Sequence, residues 1–252
     1  MLLLECNDLS FSYHTHTGEI SVIKSVSFRI HKGEFVSIVG PSGCGKSTLL
    51  GLLTGILSPE GGSIKIHYKQ KGTQSFYGYM LQQDHLLEWY DIWDNVCLGP
   101  KINHCLDSAC KEYLHTLLTR YQLDSFAHKK PSQLSGGMRQ RAALIRTLAM
   151  KPELLYLDEP FSALDYQNRL NAADDIGKII QKEGKTAVLV THDIGEAISL
   201  SSRVLVLSKR PATIVKEFVL PFQNTGLSSL EIRNLPEFST YFNLIWKELN
   251  TT

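Results

Sequence analysis

The sequence predicts an α/β protein built around a mainly parallel sheet, and three observations carry that expectation. A continuous apolar run, Phe35-Val36-Ser37-Ile38-Val39, leads directly into the glycine-rich stretch Gly40-Pro41-Ser42-Gly43-Cys44-Gly45-Lys46-Ser47-Thr48 and then into a leucine-rich helical segment. A second apolar run, Leu154-Leu155-Tyr156-Leu157, ends on Asp158-Glu159-Pro160. Two more, Thr186 to Val190 and Arg203 to Leu207, alternate with stretches of helical spacing. Short runs that are apolar throughout suit strands buried on both faces, and the intervening helices supply the crossovers that parallel strands require.

Along the chain, the opening reads as β structure. Leu2 to Phe11 and Ile20 to Ile30 mix apolar and polar positions on either side of the polar loop His14-Thr15-His16-Thr17-Gly18, as strands with one wet face do. The helix after the glycine-rich loop carries Leu49, Leu50, Leu52 and Leu53 and should end near Gly55, ahead of Pro59 and the turn Gly61-Gly62. Ser63 to His67 reads as a further strand. From about Gln83 to Leu148 the chain reads as mostly helical. One helix is expected over Cys110 to Leu123, with Tyr113, Leu114, Leu117 and Leu118 on its stripe, and another over Gly137 to Met150, stopped by Lys151-Pro152. The block 83–150 is thus read as an inserted helical subdomain of a domain spanning 1–220. Asp165 to Lys182 and Asp193 to Leu200 are further helices. Residues 221–252 form a tail, in which the linker-like Gln223-Asn224-Thr225-Gly226 leads to an apolar segment, Phe238 to Trp246, read as a helix packed on the domain. The alternative for that segment is a binding element for a partner.

Composition narrows the function. With 252 residues, 43% of them hydrophobic, the chain can bury a sizeable core. A net charge of +1 lacks the basic excess of proteins that grip nucleic acid. Five cysteines, one of them Cys44 inside the glycine-rich loop, point to a reducing compartment rather than a disulfide framework. Cys97, Cys105 and Cys110, with His104 beside them, match no paired zinc spacing. The start, Met1-Leu2-Leu3-Leu4-Glu5, has no basic region and too short an apolar run for a secretory signal. No stretch is long and apolar enough to span a bilayer, so the protein is expected to be soluble or docked on something membrane-embedded.

Strand, glycine loop and helix start, in that order, make a phosphate cradle for ATP or GTP. Glycines let successive backbone N–H groups turn inward, the helix adds its positive dipole end, Lys46 would reach the β and γ phosphates, and the Ser47 hydroxyl would coordinate Mg²⁺. At the carboxyl end of the second buried strand, Asp158 would join the Mg²⁺ shell and Glu159 would polarise a water for in-line attack. Leu134-Ser135-Gly136-Gly137-Met138-Arg139-Gln140-Arg141 places Ser135 and two glycines at another helix start, a second anion site. One nucleotide needs one phosphate loop, so this second terminus suits a nucleotide held by another subunit.

LSGGMRQR resembles the signature sequence of the ATP-binding cassette family, and the resemblance extends over roughly residues 1–215. It implies a P-loop NTPase cassette with an N-terminal antiparallel β subdomain and the inserted helical subdomain. Tyr13 matches the aromatic that stacks on adenine, and the glycine-rich stretch from Gly40 to Thr48 matches the phosphate loop. Gln82, within Tyr79-Met80-Leu81-Gln82-Gln83-Asp84, matches the glutamine that senses Mg²⁺ and the attacking water. Asp158 and Glu159 match the acid pair. Asp165, in Ser162-Ala163-Leu164-Asp165, matches the loop that communicates across a dimer, and His192 matches the switch histidine near the γ phosphate.

Leu86-Leu87-Glu88-Trp89 is similar to the L-L-P-W string of the nitrate, sulfonate and taurine importer branch, which includes ATPases serving pyrimidine-precursor uptake. Glu88 stands where proline is usual, Tyr90 where arginine is frequent, and Ala212 where glycine is common. Trp89 and Trp93 are read either as core aromatics or as part of a groove for a partner's helix. The resemblance implies an ATPase peripheral to the cytoplasmic face of the cell membrane. Two copies would face head to tail beneath separate transmembrane permease subunits, with a solute-binding protein acting indirectly. The alternative is a soluble cassette ATPase working on a ribosome or DNA.

Overall fold

The computed structural model describes residues 1–16, 18–68, 76–222 and 226–251. The linker-like residues 223–225, and Thr17 of the expected polar loop, lie outside the described residues. The first half of the chain forms β1 (Leu2–Thr15), β2 (Gly18–His31), β3 (Phe35–Val39), α1 (Lys46–Leu53), β4 (Gly61–Ile66) and β5 (Tyr77–Met80), then α2 (Ile92–Val96), α3 (Leu98–Ile102) and α4 (Ser108–Arg120). The second half forms α5 (Gly136–Leu148), β6 (Leu154–Asp158), α6 (Tyr166–Lys182), β7 (Thr186–Thr191), α7 (Ile194–Leu200), β8 (Arg203–Leu207), β9 (Ile214–Val219), α8 (Ser229–Ile232) and α9 (Pro236–Thr251). The chain divides into two compact units, Met1–Tyr68 with Thr186–Thr252, and Lys69–Lys185.

In the first unit, β1 and β2 form a long antiparallel ribbon, with β4 on the other side of β1. The expected polar loop is shorter than the sequence suggests. His14 and Thr15 continue the strand and pair with Glu19 and Gly18. Ladder bonds outrun the apolar pattern here because side-chain contacts brace the ribbon's wet end: Ser12 Oγ donates to Glu19, and His14 bonds Glu60 at 2.6 Å. Gly62 lies at an irregularity in the β1–β4 pairing, with φ +80° and space for no side chain. A Cβ there would sit 2.3 Å from the Asn7 carbonyl oxygen and 2.4 Å from that of Asp8. Gly62→Ala is therefore expected to destabilise the fold by about 2–3 kcal/mol, read as a lower urea midpoint at unchanged slope.

The same unit holds β7, β3 and β8 side by side and parallel, with β9 added antiparallel at the edge. Val36, Ile38 and Val39 are fully buried, as are Val188, Leu189 and Val190 of β7. β9 escaped the sequence reading because Lys216 and Glu217 interrupt its apolar residues; as an edge strand it turns them to water. α9 runs for 16 residues, and Ile245 is buried in a cluster with Ile194, Ile198, Val204, Val206 and Phe218.

In the second unit, β5 and β6 pair in parallel, and α5 packs on α2, α4 and α6. Helix starts follow side-chain caps rather than the apolar stripe. Asp107, Ser135 and Asp165 accept from the backbone N–H three residues on, so α4 begins ahead of the expected Cys110 and α6 one residue after Asp165. The expected helical run from Gln83 does not begin there. Residues 83–91 form a loop because fully buried Asn95 accepts from Leu87 N and donates to the carbonyls of Leu87 and Asp91. Arg146 holds the same loop through the carbonyls of Asp84 and His85, both at 2.7 Å. Among the described residues no helix is long and apolar enough to cross a membrane.

Candidate nucleotide-binding site

The phosphate loop leaves the end of buried β3 and returns as α1. Gly45, the residue before the helix, has φ +120°, and a Cβ there would approach Val22 Cγ1 of β2 to 2.7 Å. Only glycine meets both demands. Nothing caps α1 from a side chain and its first turn holds no acid, so the positive end of its dipole faces the loop without an acidic side chain of its own to offset it. Lys46 is 6% exposed, and its Nζ spans the loop, donating to Gly40 O at 2.9 Å and Pro41 O at 3.1 Å. Cys44 N donates to Pro41 O at 3.2 Å, and burial pushes the Cys44 thiol above its usual range. A buried cation, an open helix terminus and left-handed glycines form a donor set that fits nucleotide phosphate.

Tyr13 stands at the wet end of β1, 42% exposed, with its hydroxyl 3.3 Å from Thr48 Oγ1 and its ring edge-on to Phe11. His192 follows β7. Because Val39 pairs with Thr191 in register, Gly40 and His192 leave neighbouring parallel strands at the same end. His192 is exposed, and the turn around it is fixed by Asp193 N donating to Thr191 Oγ1 at 3.0 Å and by Asp193 capping α7.

In the second unit, Met80 of β5 pairs with Leu157 of β6, so Gln82 and the acids Asp158 and Glu159 also emerge at a common strand end. Asp158 is largely buried, and its Oδ2 accepts from the Tyr79 hydroxyl at 3.1 Å. Burial, reinforced by the Asp158 charge, drives the Tyr79 phenol well above its ordinary range, so Tyr79 remains a donor to that carboxylate. Glu159 has a left-handed backbone, φ +44°, secured by its carbonyl accepting from Ser162 N at 3.1 Å and Ser162 Oγ at 3.0 Å.

Ser135 caps α5, its Oγ accepting from Met138 N at 3.4 Å, with Gly136 and Gly137 forming the first turn. Asp165 caps α6, and the bond from Asn168 N holds its carboxyl below the usual range. Tyr79, Asn95, Arg139 and Arg146 were not singled out by sequence. Arg139 Nε donates to the Asp84 carboxylate at 3.1 Å, so α5 grips the loop that follows Gln82 with two arginines seven residues apart. Their spacing on one helix face was the available signal. Trp89 is 69% exposed, so it is not a core aromatic, whereas Trp93 is half-buried and stacks on His115 at 4.1 Å. Among the described residues no group of three or more His, Cys, Asp or Glu side chains could hold a metal ion.

A glycine loop set between a buried parallel strand and an uncapped helix start defines a P-loop nucleotide-binding protein of the α/β class. Residues 23–162, more than half of the chain, match the ABC transporter family. The chain is 42% identical over 252 residues to an uncharacterized ABC transporter ATP-binding protein of Bacillus subtilis (strain 168), covering 100% of this chain and 97% of the relative. It is 36% identical over 251 residues to a taurine import ATP-binding protein of Roseobacter denitrificans, covering 96% and 94%. Among solved structures, a dimeric ATP-binding cassette in a post-hydrolysis state bound to ADP and Pi aligns with a TM-score of 0.71 and 30% identity, over 86% of this chain and 99% of that one. The protein belongs to the ABC transporter family and is an ATPase.

Proposed function

We propose that this chain is the ATP-hydrolysing subunit of an importer for a small solute of the nitrate, sulfonate, taurine or pyrimidine-precursor kind. It works at the cytoplasmic face of the membrane, as a head-to-tail pair of copies beneath separate permease subunits, with a solute-binding protein delivering the cargo. The ATPase domain is assigned to 1–220, with its helical subdomain at about 83–150 and a tail at 221–252. Residues Gly40 to Thr48 bind the phosphates, Tyr13 stacks on adenine, and Ser47, Gln82 and Asp158 hold Mg²⁺. A cation of this kind, bound through one or two protein oxygens and phosphate, needs no all-protein cage. Glu159 polarises the attacking water, and His192 and Gln82 report on the γ phosphate. Ser135, Gly136 and Gly137 serve the nucleotide on the partner copy, and Asp165 communicates between copies.

The observation that carries this reading is the presence on one chain of two helix starts suited to anions: the α1 terminus, free of a side-chain cap, with its buried Lys46, and the Ser135-Gly136-Gly137 start of α5, exposed at Ser135. Composite sites built this way require two copies for turnover. Phosphate release from Mg-ATP should proceed without any acceptor, and its rate per molecule should climb with protein concentration before levelling off. A rate per molecule that stays constant through high dilution would overturn the composite site.

A further inference from the structure

The turn between β8 and β9 reaches the phosphate loop, and no role assigned above uses it. Arg210 directs both Nη2 and Nε at one acceptor, the carbonyl oxygen of Gly43, at 2.6 and 3.2 Å. Gly43 is a left-handed residue of the loop, with φ +72°. The turn that presents Arg210 is itself firmly held. Ser208 N donates to Thr213 O, and Thr213 N donates to Ser208 Oγ, both at 2.9 Å. Ala212 is bonded to β2 on both sides, donating to Val22 O at 2.8 Å and accepting from Lys24 N at 2.9 Å. Val22 is also the residue that stands against Gly45. One short segment of β2 thus backs the loop directly and anchors the turn whose arginine holds the loop from its other side.

A guanidinium on that carbonyl has two physical consequences. It fixes the plane of the Gly43–Cys44 peptide, and so the direction of the Cys44 N–H. It also polarises that peptide, which strengthens the bond by which the Cys44 N–H closes the loop on Pro41 O at 3.2 Å, and it adds a permanent charge beside the cradle. We propose that Arg210 is a positioning residue for nucleotide phosphate, acting through Gly43 to hold the loop in its receiving shape. This rests on the reading of Gly40 to Thr48 as the nucleotide loop. Arg210 is exposed, so water and salt screen the contact.

The test compares Arg210→Ala, Arg210→Gln and Arg210→Lys with the unaltered full chain, using titration of a fluorescent ATP analogue and steady-state phosphate release. Arg210→Ala should raise the dissociation constant and KM by about fivefold, the ceiling for an exposed charged contact, with kcat within twofold of the unaltered chain (roughly, by the same reasoning). Arg210→Lys should recover most of the loss and Arg210→Gln, which keeps a donor but no charge, should recover part of it. The difference should shrink as salt rises. Unchanged affinity in Arg210→Ala at low salt, or a fall in kcat with KM unmoved, would overturn the assignment. Failure of the unaltered chain to bind the analogue would instead sink the nucleotide reading itself, so the two failures are distinguishable.

Discussion

Glu159→Gln is expected to lower ATP turnover by about 10²- to 10⁴-fold, to leave nucleotide affinity nearly unchanged, and to trap the chain as a dimer in Mg-ATP. The substitution removes one charge and little else. Glu159 owes its position to backbone geometry: it follows fully buried β6 strand residues, adopts φ +44°, and is pinned through its carbonyl by two bonds from Ser162. Glutamine is isosteric and leaves those bonds in place, so the site's shape survives while its capacity to draw a proton from water does not. With cleavage stalled, the preference of the triphosphate for the closed pair is no longer cancelled by hydrolysis. Shifting such an equilibrium from 1:99 to 99:1 takes about 5.5 kcal/mol of differential binding. A few charge-assisted contacts at about 1.5–3 kcal/mol each can supply it. The readouts are phosphate release and light scattering after gel filtration in ATP and in ADP. Turnover close to that of the unaltered enzyme, or a monomer at saturating Mg-ATP, would contradict the role given to Glu159.

The residues on which that prediction depends were legible in the sequence because the chemistry fixes both their identity and their order. Phe35 to Val39 and Leu154 to Asp158 are buried throughout except at Phe35, so their apolar runs were unbroken and the groups at their ends stood out. β5 was not legible: Tyr77-Gly78-Tyr79 is only half-buried and its one fully buried residue is Met80, too little for an apolar signature. The loop at 83–91 was read as helical because what holds it is distant along the chain. Asn95 and Arg146 override local preference by satisfying its backbone groups from other elements. The same applies to Tyr79 on Asp158 and Arg210 on Gly43, separated by 79 and 167 residues. Periodicity reports what a segment buries, and it is silent on which distant donor completes a site.

Lys46→Ala should behave differently from Glu159→Gln, losing binding and turnover together. The Lys46 ammonium is buried and bonded to the carbonyls of Gly40 and Pro41, so the loop is organised around a cation. Removing it takes away a desolvated positive charge whose bonds to phosphate would be worth about 1.5–3 kcal/mol each, so two such bonds imply a loss of affinity of at least about 100-fold. Lys46→Arg should not restore it, since a rigid guanidinium fork cannot take the place of a compact ammonium packed this closely against the loop. The check is thermal: ATP at about 100 times its dissociation constant should add about 2.7 kcal/mol of stability to the unaltered chain and almost none to Lys46→Ala. The variant's own melting temperature without nucleotide serves as the control for folding. Equal stabilisation of both proteins by ATP would mean that the buried lysine belongs to the architecture of the loop and that the triphosphate is gripped elsewhere.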